Sequence, residues 1–135
     1  MTFDLGLALE ACREAEKEQA LFYRGLSALA EEKGDADLAN RFQELHADEQ
    51  HHLSRLTARL VELELHPADL SGLRAPTQDL AGWEGPARRR ELDETRRYEL
   101  LLTHDFDADT RRLVESIVEV ERRHAQELGG KWTLA

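Results

Sequence analysis

Apolar residues recur along this chain at intervals of three and four positions, which is the spacing of one face of an α-helix. Three such stripes continue over many turns, and they begin at Leu5, Leu38 and Leu113. Some stripe positions that an ordinary amphipathic helix fills with Leu or Val carry ionisable residues instead: Glu16, Glu49, His52, Glu121 and His124. The pattern predicts an all-α protein whose helices bury charged groups along with their apolar faces.

Turn and capping residues divide the chain into four helices. Lys33-Gly34 ends the first helix, and Asp35 offers a cap for the second. Pro86 is tolerated in the first turn of the third helix, and an acidic turn at residues 105–109 precedes the fourth. We predict a single domain over residues 1–135, made of a helical hairpin over about residues 4–64, a linker over about 65–85, a second hairpin over about 86–128 and a short C-terminal tail.

The two hairpins repeat the same polar positions. The matching positions are Glu16 and Tyr23 with Glu91 and Tyr98, and Glu49 and His52 with Glu121 and His124. Short turns make the two helices of each hairpin antiparallel. The linker of about 20 residues can extend roughly 65 Å at ~3.3 Å per residue, which is enough to run the length of a bundle. One long crossover of this kind predicts a ferritin-like four-helix bundle.

The repeated positions have the spacing of a metal site. Residues three apart on a helix share a face, so each Glu-x-x-His pair directs one carboxylate and one imidazole the same way. Two such pairs, with Glu16 and Glu91 from the other two helices, match the ligand set of di-iron and di-manganese bundles. Imidazole with several carboxylates suits Fe(II) or Mn(II), and we expect Zn(II) to bind the isolated protein as well. His46 and His51 fall off the ligand stripe and are expected to be exposed.

Composition and charge narrow the classes of partner. A net charge of −10 in 135 residues argues against nucleic acid or an anionic membrane surface. The single cysteine, Cys12, allows no disulfide within the chain. No apolar run approaches the ~20 residues that span a bilayer, and no signal peptide is visible at the N-terminus. We therefore expect a cytoplasmic protein.

As a set, these motifs resemble those of the rubrerythrin-like branch of the ferritin-like di-iron carboxylate superfamily. The residues that carry the resemblance are Glu16, Tyr23, Glu49, His52, Glu91, Glu94, Tyr98, Glu121 and His124. The resemblance implies a centre of two iron ions between the four helices. By that resemblance, the terminal ligands would be Glu16 and Glu91, the bridging ligands Glu49 and Glu121, and the nitrogen ligands His52 and His124.

The resemblance also singles out residues for catalysis. Glu94 lies one turn after Glu91, where rubrerythrins carry an additional carboxylate ligand that takes part in redox-linked movement of one iron. The matching position of the first hairpin is Gln19, and this asymmetry favours a peroxide-reducing site over a plain ferroxidase site. Tyr23 and Tyr98 are either core aromatics or hydroxyl partners of the ligand carboxylates, and both descriptions can hold together.

The implied function is the reduction of hydrogen peroxide in oxidative-stress defence. Rubrerythrins carry a rubredoxin domain with four cysteines, and this sequence contains one cysteine. The electrons are therefore expected from an external donor such as a rubredoxin-like protein. Oxygen is the other expected oxidant, and a homodimer is the expected assembly. Two alternatives stay open: a ferroxidase that binds and stores iron, for which a cage assembly would be evidence, and a metal-free structural bundle, which metal analysis would reveal.

Overall fold

Four α-helices make up the computed structural model, which describes residues 2–128 of the chain. They are α1 (Leu5–Glu32), α2 (Ala36–Glu62), α3 (Glu84–Leu101) and α4 (Ala108–Glu127). Residues 2–128 contain no strand. The helices pack in pairs, as in a four-helix bundle, and the predicted all-α fold class is confirmed. The predicted C-terminal tail, residues 129–135, lies outside the described residues.

The contacts between Cα atoms divide the chain into two compact units. The first-hairpin unit is Arg13–Trp83, which holds most of α1, all of α2 and the linker. The second-hairpin unit holds the residues up to Cys12 together with those from Glu84 onward, and therefore contains α3 and α4. The linker occupies residues 63–83 and forms no helix, so it begins and ends two residues earlier than predicted.

In the first-hairpin unit, α1 and α2 are antiparallel. The Gln43 amide donates to the Glu31 carboxylate close to the turn, while the His46 ring contacts the Ala20 carbonyl further along both helices. The turn itself depends on Gly34, whose φ of 75° lies in the left-handed region that favours glycine. The predicted end of the first helix at Lys33-Gly34 is thus close to its observed end at Glu32.

Local chemistry explains the start of α2 and the position of the linker. The Asp35 carboxylate accepts a hydrogen bond from the Leu38 backbone N–H at 3.1 Å, which satisfies a donor that the first turn leaves unpaired.

At the end of the linker, Trp83 is buried and packs edge-on against Phe42 with ring centroids 4.7 Å apart. Burying an apolar side chain of this size contributes on the order of 2 kcal/mol, so this contact holds the linker against α2.

The second-hairpin unit is an antiparallel pair of α3 and α4. Pro86 lies in the first turn of α3, as predicted, because its missing N–H costs no hydrogen bond there. The Asp107 carboxylate caps α4 by accepting from the backbone N–H of Thr110 at 2.9 Å. The Arg122 guanidinium on α4 pairs with the Glu99 carboxylate on α3 at 2.8 Å. Within residues 2–128, no helix has the length and apolarity that crossing a bilayer requires.

Candidate metal centre

The first-hairpin unit brings together three of the predicted ligands, which we call the first metal set: Glu16, Glu49 and His52. Glu16 comes from α1, while Glu49 and His52 lie one turn apart on α2. The Nδ1 of His52 lies 3.0 Å from Oε1 of Glu16. One ligand atom from each of the three residues lies within 4.8 Å of the other two. Both carboxylates have no exposed surface, and His52 is 2% exposed.

The second-hairpin unit contains a matching arrangement, the second metal set: Glu91, Glu121 and His124. Glu91 comes from α3, while Glu121 and His124 lie one turn apart on α4. The Nδ1 of His124 is 3.5 Å from Oε1 of Glu91 and 3.6 Å from Oε1 of Glu121. One ligand atom from each residue again lies within 4.8 Å of the others, and all three side chains are buried.

The chemistry of these two sets suits a divalent transition metal. Each set offers carboxylate oxygens and one imidazole nitrogen, which are the donors that iron, manganese and zinc take in proteins. Each set buries two carboxyl groups. An ionised carboxylate is costly to bury unless a positive charge compensates it. A bound cation would compensate that charge. Each set of buried Glu and His residues could therefore hold a metal ion.

Glu94 is buried, at 5% exposed, but it belongs to neither metal set. Its Oε1 lies 3.7 Å from Nε of Arg97, which follows one turn later on α3. The sequence offered one clue to this pairing, because opposite charges three apart on a helix are neighbours. The participation of Glu94 in metal binding and catalysis stays a prediction, and in this structure its ion-pair partner is an arginine.

Cys12 adjoins this ion pair in the second-hairpin unit. The pKa of the Cys12 thiol is raised to about 12, chiefly because the thiol is buried and also because the Glu94 carboxylate lies nearby, while the Arg97 guanidinium acts in the opposite direction. The thiol is therefore protonated at neutral pH and behaves as a small apolar core residue.

Both tyrosines predicted to support the site are fully buried. Tyr23 lies on α1 and Tyr98 on α3, each with no exposed surface. Phe22 meets the Tyr23 ring edge-on with centroids 5.4 Å apart. Their role as core aromatics is consistent with this burial, and their hydrogen bonding to ligand carboxylates stays a prediction.

The two histidines that neighbour the first metal set differ. His51 is exposed, as predicted, but the prediction that His46 is exposed is wrong. His46 is partly buried, and its Nδ1 lies 2.9 Å from the carbonyl oxygen of Ala20 on α1. The apolar stripe of a helix marks only the centre of its buried face. A residue beside the stripe, such as His46, can therefore still be covered by the neighbouring helix.

No protein-family model, curated protein or solved structure was found to match this chain. The resemblance to rubrerythrin-like proteins therefore stays a prediction that rests on the ligand motifs. The geometry of the two metal sets is independent of it.

Proposed function

We propose that this protein is a non-haem di-iron enzyme that reduces hydrogen peroxide with electrons from an external donor. One observation carries the proposal: each hairpin buries a Glu, Glu, His set whose ligand atoms lie close together. A single buried carboxylate–histidine contact can have a purely structural role, whereas two matching sets in a repeated hairpin are the ligand complement of a two-metal centre.

The charges of the two sets support a pair of divalent ions. Four carboxylates carry four negative charges when ionised, which two divalent cations balance. In this proposal two divalent ions would be held by Glu49 and Glu121 as shared ligands, by Glu16 and Glu91 as terminal ligands, and by His52 and His124 as nitrogen ligands. Bound as a pair, two ferrous ions supply the two electrons that, with two protons, convert hydrogen peroxide to two molecules of water.

Residues of the chain would determine the environment in which peroxide is reduced. Burial of all six ligands keeps bulk water away, which strengthens electrostatic interactions at the site. Arg97 lines a cavity of about 410 Å³ in the second-hairpin unit and also contacts Glu94. In the proposal this cavity admits the small oxidant, and Glu94 adds negative charge beside the second metal set. The hydroxyls of Tyr23 and Tyr98 hold ligand carboxylates in orientation.

The remaining elements of the proposal concern partners. The external donor is a rubredoxin-like protein, the assembly is a homodimer, and the protein works in the cytoplasm. The alternative is a ferroxidase that binds and stores iron, with Fe(II) as substrate and oxygen as oxidant. One observation favours it: Glu94 pairs with Arg97 and lies outside both metal sets, which leaves six ligands without the additional carboxylate.

The experiment compares the oxidant preference of the wild type with that of Glu94→Gln. Each protein is loaded anaerobically with Fe(II), and its oxidation by peroxide or by oxygen is followed by stopped-flow absorbance. We expect the wild type to react faster with peroxide, and Glu94→Gln to keep its iron but react with peroxide about tenfold more slowly. Glu119→Gln is the matched control, because it makes the same change at an exposed position of the same hairpin that does not line the cavity.

A wild-type preference for oxygen, or an unchanged peroxide rate in Glu94→Gln, would contradict peroxide reduction and favour the ferroxidase. Absence of bound iron would contradict both functions.

A further inference from the structure

A second candidate site lies wholly within the first-hairpin unit and shares no residue with the metal sets. It is a cavity of about 580 Å³ bounded by α1, α2 and the linker. That volume falls within the roughly 300–1,000 Å³ of small-molecule sites. Two basic residues of α1, Arg13 and Lys17, line it, and none of the described residues in its wall is acidic. A cationic cavity in a chain with a net charge of −10 indicates an anionic ligand.

Arg13 is a fixed cation in this cavity. Its side chain is 8% exposed, although arginine is rarely buried to that extent. The Nε–H donates to the Thr57 hydroxyl at 2.8 Å, and an η-nitrogen donates to the Ala68 carbonyl of the linker at 3.0 Å. The Thr57 hydroxyl in turn donates to the Leu53 carbonyl at 2.8 Å. These contacts hold the guanidinium in one orientation, so a ligand would meet a preorganised charge.

Lys17 lies one turn after Arg13 on the same face of α1 and is partly buried. Within the described part of the chain its ammonium group makes no ion pair. A partly buried ammonium loses some of its hydration, and a ligand anion would compensate that loss. Arg13 and Lys17 together provide two positive charges, which match a phosphoryl dianion better than a monovalent carboxylate.

The rest of the lining combines a hydroxyl with apolar surface. Ser54 on α2 offers its hydroxyl, while Leu53 and Leu70 contribute apolar surface. Leu70 and Ser71 belong to the linker, where the Asp69 carboxylate accepts a hydrogen bond from the Ser71 backbone N–H at 2.9 Å. That turn fixes the part of the linker that lines the cavity.

We propose that this cavity binds a small organic phosphate. Arg13, Lys17 and Ser54 bind the phosphoryl group, and the apolar portion of the ligand packs against Leu53 and Leu70. The linker then has a function of its own, because it supplies one wall of the site and anchors the arginine through the Ala68 carbonyl. This site is independent of the metal centre.

Isothermal titration calorimetry on the full chain tests the proposal, with phenyl phosphate as the probe and inorganic phosphate and benzoate for comparison. The protein is first dialysed against a chelator and then against buffer, so that no metal can bind the phosphate. We expect one phenyl phosphate per chain and about tenfold weaker binding in Lys17→Met, since a charge-assisted hydrogen bond is lost. Lys33→Met, which removes the same charge from an exposed turn, should bind like the wild type.

A second variant, Ser54→Ala, removes a different proposed contact with the phosphoryl group. It should also bind phenyl phosphate more weakly than the wild type does. Circular dichroism checks that each variant is folded. No binding by the wild type, equal binding by Lys17→Met and Lys33→Met, or equal binding of benzoate would overturn the proposal. Equal affinity for inorganic phosphate would overturn the assignment of an organic ligand.

Discussion

At the scale of single residues, the burial of four glutamate side chains is the feature that costs the fold most free energy unless a cation is bound. Glu16, Glu49, Glu91 and Glu121 have no exposed surface, and each has a histidine of its own hairpin within its metal set. A carboxylate in such surroundings is costly without compensating charge. Removal of one carboxylate should therefore affect metal binding much more than removal of an exposed one.

Glu121→Gln tests that expectation, because it keeps the size of the side chain but removes its charge. We expect the metal content to fall from about two ions per chain to one or fewer, since the proposed bridging ligand is lost. Elemental analysis after anaerobic loading with Fe(II) measures this stoichiometry. Glu119→Gln, an exposed position on the same helix, is the control. Equal metal content in the two variants would show that Glu121 is not a ligand.

At the scale of elements, capping residues determine where each ligand-bearing helix begins. Asp107 accepts hydrogen bonds from both the backbone N–H and the hydroxyl of Thr110, and Thr110 is fully buried. The Asp35 carboxylate caps α2 in the same way, by accepting a hydrogen bond from the backbone N–H of Leu38. Each cap lies at the start of the helix that carries a Glu-x-x-His pair, so it fixes how far along the hairpin that pair lies.

Asp107→Ala should lower the free energy of unfolding by about 1 kcal/mol, because the first turn of α4 loses its cap. Urea denaturation followed by circular dichroism measures the change. Asp105→Ala removes an exposed carboxylate from the same turn and should change the stability by less than about 0.5 kcal/mol. A loss of equal size in both variants would indicate that the charge of the turn matters and the cap does not.

At the scale of the whole molecule, metal binding and folding should be linked. A cation that binds the folded chain better than the unfolded chain stabilises the fold, by about 2.7 kcal/mol at a hundredfold excess over its dissociation constant. For a chain of this length we expect the melting temperature to rise on the order of 10 °C.

Differential scanning calorimetry with Zn(II), Mn(II) or no added metal would measure this shift. Mg(II), which prefers oxygen ligands alone, is the control ion and should have a much smaller effect. The Glu121→Gln variant should lose most of the shift. Equal melting temperatures with and without transition metal would count against two buried metal sets.

The hydrophobic periodicity of the sequence, together with its turn and capping residues, predicted the four helices and the residue pairs that share a helix face. Glu49 with His52, and Glu121 with His124, could be predicted because contacts three residues apart depend only on local helix geometry. The turn at Gly34 and the all-α class were also predictable, since both follow from local chemistry and periodicity.

Tertiary structure decided the partners that are distant in sequence. These partners include the contact between Glu16 and His52 and the burial of His46 against Ala20. They also include the cavity that the linker and Arg13 line together. All of them depend on how neighbouring segments are rotated and shifted. Side-chain packing sets these rotations and shifts, and a hydrophobic period does not encode them. The pairing of Glu94 with Arg97 is local in spacing, whereas the burial of this carboxylate depends on the packing around α3.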